Sequence, residues 1–192
     1  MNRKSLNCST VESSANHPTI TCANRQRTKK INLPLLKQIA AALVGELGIK
    51  PAGLGIYLVG APEMTRLNGT FLRHAGSTDV IAFDYRDDSD PGGQRSVAAP
   101  KSGVVTKQCP PAVHGEIFIC IDEALVQARK FGMSWPSELV RYLVHGTLHL
   151  IGHDDQHPVR RRKMKREENR LLGRLSRRFA LAQLARPARI RA

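Results

Sequence analysis

Residues 134–155 read SWPSELVRYLVHGTLHLIGHDD, and this stretch predicts a central helix that ends in a sharp turn. Pro136 suits the first turn of a helix, and Glu138 places an acid near the positive end of the helix dipole. The apolar residues that follow keep helical spacing: Leu139, Tyr142, Leu143, Leu148 and Leu150. Gly152 supplies the left-handed conformation at which many helices end. We therefore predict a helix over roughly residues 134–151.

Two histidines, His145 and His149, lie four residues apart in this predicted helix. At that spacing two side chains lie about 40° apart around the helix axis and one turn along it. Their imidazoles can then converge on one ion, although a lone pair of this kind is often only structural. Beyond the glycine, four more potential ligands occur within five residues: His153, Asp154, Asp155 and His157. This density predicts a site for one divalent metal ion, with zinc as the expected ion.

The spacing His-x3-His-x2-Gly-x2-ligand has the geometry of the extended zincin motif, and it puts Asp155 at the third ligand position. We predict three metal ligands: His145, His149 and Asp155. His153 and His157 compete with Asp155 for the third position. Zinc accepts carboxylate as well as imidazole, so an aspartate there is a competent ligand. Gly146 stands where the zincin motif has its catalytic glutamate, which counts against peptide hydrolysis.

Helices and strands alternate upstream of the motif. The predicted elements are a helix over roughly 34–47, a strand at 54–59, a short helix at 62–71, strands at 79–85 and 115–121, and a helix over 122–130. Residues 86–112 are rich in proline, glycine, serine and charge, and they predict a long flexible loop. This alternation predicts a single α+β domain in which a small mixed four-stranded sheet packs with helices.

The two ends of the chain differ from this central part. Residues 1–30 lack apolar periodicity, which predicts a disordered polar and basic extension. Apolar residues at helical spacing near the other end predict an amphipathic helix that docks on the body: Met164, Leu171, Leu172, Leu175 and Phe179. We therefore predict a metal-dependent hydrolase domain at 31–178 and a basic C-terminal tail at 179–192.

The net charge of +14 is concentrated at the same two ends. Residues 1–30 carry a net charge of +5 and residues 160–192 carry +11, whereas residues 31–159 carry −2. Concentrated positive charge attracts polyanions and releases their counterions on binding. The distribution favours nucleic acid as a partner over a merely solvated tail, without specifying which nucleic acid.

Cysteine usage and hydropathy indicate the compartment. Cys8, Cys22, Cys109 and Cys120 show no CxxC pairing, so they suit neither a disulfide framework nor a thiolate zinc site. No apolar run approaches the roughly 18 residues of a membrane span, and the N-terminus lacks the apolar stretch of a secretory signal. A cytoplasmic protein with no membrane partner is the simplest interpretation.

Three segments together resemble the YbeY family, the bacterial zinc-dependent endoribonucleases of rRNA maturation. HGTLHLIGHDD, from His145 to Asp155, closely resembles the family signature. Leu67-Asn68 followed by STDVIAF at 77–83 resembles the family's L-N…T-D-V-L-S-F segment, and HGEI at 114–117 resembles its G-D-I strand. The order and spacing of the segments also fit, and the resemblance covers roughly residues 33–175.

The chain departs from the family pattern at several places. Family members commonly carry a third histidine where this chain has Asp155, although some use aspartate. Many members have an arginine four residues after the equivalent of Asn68, where this chain has Leu72 with Arg73 beside it. No RNA-contacting arginine is therefore carried over to this segment. The loop at 86–112 is also longer than is usual in the family.

The resemblance implies a single-strand-specific, metal-dependent endoribonuclease that acts in rRNA maturation, including small-subunit rRNA end processing, and in ribosome quality control. It implies precursor rRNA as the substrate and ribosomal subunits as partners, with no DNA expected. The basic residues just after the motif are then the predicted RNA contacts: Arg160, Arg161, Arg162 and Lys163. Two alternatives stay open, namely a metalloprotease-like hydrolase and a non-catalytic ribosome-assembly factor with a structural metal.

The roles of several other residues stay open at this level. Gly146 cannot act as the general base, so Asp154, His153 and the activated water itself are the candidates. Thr78-Asp79 either only shapes the start of a strand or contacts the site. Two further residues have local roles as their simplest interpretation: Asn68 as a cap or backbone partner, and Trp135 as packing for the helix start, with base stacking as its rival.

Overall fold

Four strands form the sheet on which the helices pack. The computed structural model describes residues 19–86 and 112–186. The strands are β1 (Thr19–Asn24), β2 (Lys50–Val59), β3 (Val80–Asp84) and β4 (Ala112–Cys120), in the order β1-β2-β4-β3. β2 runs parallel to both of its neighbours, β1 and β4, whereas β3 pairs antiparallel with β4. The small mixed four-stranded sheet predicted from the sequence is confirmed.

Helices cover the sheet and surround one central helix. The α-helices of the described chain are α1 (Leu33–Glu46), α2 (Ala61–Leu67), α3 (Ile121–Lys130), α4 (Trp135–Leu150) and α5 (Pro158–Arg178). A π-helical turn, Asn68–Leu72, continues α2, and a short 3-10 helix, Leu181–Ala185, follows α5. α4 contacts β3, β4, α3, α5 and the 3-10 helix, so it lies at the centre of the fold. The α+β class and the predicted central helix are confirmed.

Local chemistry and close packing fix the position of α4. Its N-terminus forms because the Ser134 side chain accepts a hydrogen bond from the Ser137 backbone N–H. Further along, Gly146 lets the helix approach the sheet closely. A Cβ atom at this position would lie 2.7 Å from Ile117 Cγ2 and 3.0 Å from Val80 Cγ2. The sheet therefore excludes any larger side chain at position 146 and holds the adjacent turns of α4 in place.

The predicted disordered extension over residues 1–30 is wrong for residues 19–30. β1 pairs with β2 along its whole length, and Ile20 is buried. Gln26 is also buried, and its amide donates hydrogen bonds to the Asn24 side chain and to the Lys29 carbonyl. An edge strand that buries a single residue fully has no apolar periodicity, so its pattern resembles that of a disordered segment. Residues 1–18 lie outside the described residues.

The predicted basic tail at 179–192 is wrong for its first part. Leu181 and Leu184 are buried, and the Leu184 carbonyl accepts a hydrogen bond from the Asn32 N–H at the start of α1. Two leucines in one 3-10 turn are too few to produce a helical pattern in the sequence. The predicted amphipathic helix is confirmed by α5, which buries Met164, Leu171 and Leu175.

Parts of the predicted loop and tail, residues 87–111 and 187–192, lie outside the described residues. At the edges of the loop, Arg86 contacts Asp84 and the Leu150 carbonyl, and β4 begins at Ala112. Within the described ranges, the longest helix is α5, and no helix is both long and apolar enough to cross a membrane.

Candidate metal centre

His145 and His149 lie one turn apart on α4 with their rings nearly perpendicular. The ring centroids are 4.6 Å apart with an interplanar angle of 80°, and the two Nε2 atoms are 3.0 Å apart. The turn after α4 brings Asp155 to the same point, with its Oδ2 3.9 Å from His145 Nε2. One potential ligand atom from each of the three residues lies within 4.8 Å of the other two. Within the described ranges, no fourth histidine, cysteine or carboxylate joins this group.

Both histidines are held through Nδ1, on the side away from this point. His145 Nδ1 lies 3.2 Å from Glu168 Oε2, and His149 Nδ1 lies 3.1 Å from the His153 carbonyl oxygen. A carboxylate and a carbonyl only accept hydrogen bonds, so each Nδ1 carries the hydrogen and each Nε2 carries a lone pair. Two such lone pairs repel unless they share a proton or a cation. Metal-ligating histidines are held in this way.

Electrostatics keeps His149 unprotonated, so the Nε2 lone pair of His149 is free at this point. Burial lowers the pKa of His149, and the neighbouring His145 lowers it further, so His149 is neutral near pH 7. Burial alone would raise the pKa of Glu168, but hydrogen bonds from His145, Lys165 and Arg141 outweigh it and bring the pKa to about 2. Glu168 is therefore an anion that accepts the Nδ1 hydrogen of His145.

Hydrogen bonds and an ion pair hold the turn between α4 and α5. Asp154 is buried, and its carboxylate accepts hydrogen bonds from the Gln156 N–H and the Arg160 guanidinium. The Arg161 guanidinium donates to the Asp155 carbonyl. These contacts direct Asp155 towards α4, although its side chain remains 42% exposed.

The two other histidines considered as third ligands lie outside the group. His153 contributes its backbone carbonyl to His149, and its imidazole interacts with the charges of Lys163 and Glu167 on α5. His157 is the N-terminal cap residue of α5 and is exposed. Asp155 is the candidate that the fold brings to His145 and His149.

Glu168 and Arg141 support the Nδ1 side of His145. Neither is among the site residues predicted from the sequence. Glu168 is 3% exposed and lies 2.7 Å from the Arg141 guanidinium, which also pairs with Glu138. Arg141 therefore holds Glu168, which holds His145. In the sequence, Glu168 follows Met164 by four residues and so falls on the apolar face of α5. An acid on an apolar face is a signal, because a buried carboxylate needs hydrogen-bonding or charged partners.

An open cleft of about 550 Å³ leads to this group, lined by α3, α4, α5 and residues 77–79. Asp79 accepts hydrogen bonds from the Thr78 hydroxyl and the Val80 N–H, and its carbonyl accepts from the Cys120 N–H. Thr78 and Asp79 therefore shape the start of β3, which is one of their two predicted roles. Both also line the cleft, so they lie where a substrate contact would need them.

Asn68 and Trp135 have the local roles that are their simplest interpretation. Asn68 is buried, and its amide donates a 2.9 Å hydrogen bond to the Gly76 carbonyl. This contact holds the segment that leads to the cleft. Trp135 is the first residue of α4 and packs, partly buried, against the main core. Its indole therefore serves packing at the helix start.

The four predicted RNA contacts lie in the first turns of α5 and are exposed. Arg160 and Arg161 contact the turn through Asp154 and the Asp155 carbonyl. Neighbouring Arg162 and Lys163 form no ion pair with any residue that the structure describes. Two of the four cations thus hold the turn, and two are available to a polyanion.

The fold and the site together define a class of protein: an α+β protein whose two imidazoles and one carboxylate converge at an open cleft, as in hydrolytic zinc sites. The "Endoribonuclease YbeY" family model matches residues 21–176. The endoribonuclease YbeY of Chlorobaculum parvum is 31% identical over 147 residues, which cover 77% of this chain and 89% of the relative. That of Salinibacter ruber is 29% identical over 145 residues, covering 76% and 84%. The chain belongs to the YbeY endoribonuclease family.

A solved structure shares the fold. The solution structure of a Thermotoga maritima protein matches with a TM-score of 0.56 and 19% identity, covering 91% of this chain and 100% of that one. The family match begins within β1, at residue 21. This boundary agrees with the pairing of β1 with β2, which makes β1 part of the domain.

Proposed function

We propose that this chain is a metal-dependent endoribonuclease that hydrolyses single-stranded precursor rRNA, with one zinc ion bound by His145, His149 and Asp155. The observation that carries the proposal is the convergence of two imidazole nitrogens and one carboxylate at the end of an open cleft. The relatives reported above are named endoribonucleases. An rRNA substrate in turn makes ribosomal subunits the expected partners.

The donor set fits zinc, which accepts imidazole and carboxylate ligands. Three protein ligands leave one coordination position open, as catalytic sites require. When bound, the ion lowers the pKa of a water and offsets the negative charge that develops on a phosphate oxygen. Glu168 and the His153 carbonyl keep the hydrogens of the two histidines on Nδ1, so that both Nε2 atoms stay available as ligands.

Cations along the cleft and on α5 supply affinity for the RNA backbone. Arg161 and Lys165 line the cleft beside Asp155, where they already contact the Asp155 carbonyl and Glu168. Arg162 and Lys163 extend the positive surface along the same turns of α5. Contacts of this kind bind phosphates and position the strand without reading its sequence. The body therefore sets the place of cleavage, and the basic helix increases the affinity.

The structural contacts weaken both alternatives. A metalloprotease would need a carboxylate in place of Gly146, and the positions of Ile117 and Val80 leave no room for a side chain there. Asp154 is a poor substitute, because both of its oxygens already accept hydrogen bonds. A structural zinc would need four protein ligands, and the described residues bring three together.

Cleavage assays with the full-length protein test the proposal. We expect a single-stranded RNA to be cut and a duplex of the same sequence and an unstructured peptide to stay intact. Chelation with EDTA should abolish cleavage, and added zinc should restore it. His145→Ala is the control for contaminating nucleases. RNA cleavage that survives both EDTA and this substitution would reject the proposal, and metal-dependent peptide cleavage would replace it.

A further inference from the structure

Phe131 is an exposed aromatic residue that lines the same cleft as His145 and Asp155. Its side chain is 64% exposed and packs in neither apolar core of the described chain. It follows α3 at a turn in which Gly132 takes a φ of +64°, and it lines the cleft. The other large apolar residues exposed in the described ranges, Val126, Met133 and Val159, do not line this cleft.

Tyr142 provides an independent observation in the same cleft. Tyr142 is 5% exposed and lines the cleft, and its hydroxyl, which is closed to solvent, has no hydrogen-bond partner among the residues described. Burial raises the pKa of Tyr142 above its ordinary value, so the hydroxyl stays protonated and can donate. A buried hydroxyl without a partner is unusual in a folded protein. A strand bound in the cleft supplies the missing acceptor once it displaces the side chains that cover the hydroxyl.

Two helices, α3 and α4, carry residues that line the cleft. Glu123, Gln127 and Phe131 recur every four residues along α3 and its C-terminus, and all three line the cleft. Tyr142 and His145 line it from α4. Trp135, the first residue of α4, lies ten residues or about 15 Å along the helix from His145, and Phe131 precedes Trp135 by four residues. Tyr142 lies three residues before His145 on α4.

The charges near Phe131 suit a nucleotide. The Lys130 ammonium lies 5.5 Å from the Phe131 ring centroid, so a phosphate next to a base on this ring would meet a cation. Glu138 also lines the cleft and forms an ion pair with Arg141, whereas the carboxylates of Asp79 and Glu123 accept hydrogen bonds from neutral hydroxyls. The Phe131 ring and the Lys130 ammonium therefore offer complementary contacts to a base and to its phosphate.

We propose that Phe131 and Tyr142 form a nucleobase subsite, in which an unpaired base stacks on the Phe131 ring and the Tyr142 hydroxyl donates a hydrogen bond to the same strand. The inference rests on the proposed function, because RNA must enter the cleft. Aromatic stacking tolerates any base but requires an unpaired one, so the subsite selects single strands without selecting sequence. Phe131 is separate from the group of metal ligands, so the stacked base belongs to a nucleotide other than the scissile one.

Binding, rather than cleavage, tests the subsite. The full-length protein is titrated into a fluorescent single-stranded 2′-O-methyl oligonucleotide, which resists hydrolysis, and into an oligomer of the same length without bases. We expect the wild type to prefer the oligomer with bases by about tenfold. Phe131→Ala should remove this preference and leave the affinity for the baseless oligomer unchanged. Phe131→Trp should restore it.

Two further variants sharpen the result. Val126→Ala is the matched control, because Val126 is an exposed apolar residue of the same helix outside the cleft. It should bind like the wild type. Tyr142→Phe should weaken binding of the oligomer with bases by about threefold without lowering the melting temperature. Unchanged binding in Tyr142→Phe would remove the hydroxyl from the subsite.

Three results would overturn the subsite. The wild type could show no preference for the oligomer with bases, the preference could survive in Phe131→Ala, or Phe131→Ala could lose affinity equally for both oligomers. The separate cleavage assay distinguishes this failure from failure of the proposed function. A protein that prefers bases but cuts no RNA retains the subsite and is not a nuclease. A protein that cuts RNA without preferring bases is a nuclease without the subsite.

Discussion

α4 and the turn that follows it bring side chains to one point by different physical means. α4 presents His145 and His149 from a helix packed so closely on the sheet that Gly146 leaves no room for a Cβ atom. The turn presents Asp155 from a short segment held by the Asp154–Arg160 ion pair, and the Asp155 side chain is 42% exposed. One half of the site is therefore fixed by packing, and the other half by contacts that water and salt weaken.

Removing a side chain from the packed half should have the largest effect. His145→Ala or His149→Ala should lower zinc affinity by more than roughly a hundredfold, since even residues that only support a ligand are worth up to that much. The described residues bring no further ligand to this group, and RNA cleavage should be lost together with the metal. Elemental analysis of the purified variants measures the metal content. Full metal content in either variant would overturn the ligand assignment.

Substitution of Asp155 in the turn should have a smaller effect, and its size should depend on the residue introduced. Asp155→Ala should lower zinc affinity by about 10-fold to 100-fold. Asp155→His should preserve or tighten binding, because an exposed side chain has room for imidazole, a good zinc ligand. His157→Ala is the control and should bind zinc normally. Zinc titration compares the three variants. If His157→Ala were the damaging change, the turn would be arranged differently when metal is bound.

The close packing of α4 can be tested without metal. Gly146→Ala should lower the free energy of unfolding by about 1–3 kcal/mol, because its Cβ would overlap Ile117. Gly45→Ala in α1 is the matched control, since a Cβ there meets nothing within 4 Å. It should raise the free energy of unfolding by up to about 1 kcal/mol. Urea denaturation measures both values. Equal shifts in the two variants would mean that α4 is not tightly packed against the sheet.

The smallest effect is expected from the ion pair of the turn. Arg160→Ala removes a partner that is 62% exposed, so zinc affinity should fall by no more than about fivefold. The neighbouring Arg162 forms no ion pair in the part of the chain that the structure describes, and Arg162→Ala should leave zinc affinity unchanged while it weakens RNA binding. Isothermal titration at two salt concentrations separates these effects. A large loss in Arg160→Ala at both salt concentrations would show that the turn is rigidly fixed.

Local patterns predict α4 and the three proposed ligands, whereas distant contacts complete the site. The spacing of His145, His149 and Gly152 lies within two helical turns, so periodicity is enough to predict it. Glu168 contacts His145 from 23 residues away in the chain, on another helix. The sequence around Glu168 shows only an acid on the apolar face of a helix. No pairing rule in the sequence connects the two.

The same reason explains the two errors in the fold. β1 buries little of its own surface and exists because β2, more than 20 residues further along the chain, offers an edge to pair with. The 3-10 helix at Leu181–Ala185 is likewise held by its contact with the start of α1. Short segments that depend on partners distant in the chain leave no periodic pattern, so their composition alone resembles that of a tail.

Counting the protein ligands of the bound ion tests the central claim most directly. A crystal structure of the zinc-loaded full-length protein, with anomalous density to identify the ion, provides that count. We expect one zinc ion bound by His145 Nε2, His149 Nε2 and an Asp155 carboxylate oxygen, with solvent at the fourth position. A fourth protein ligand would contradict the hydrolytic site, because a closed coordination sphere is the mark of a structural zinc.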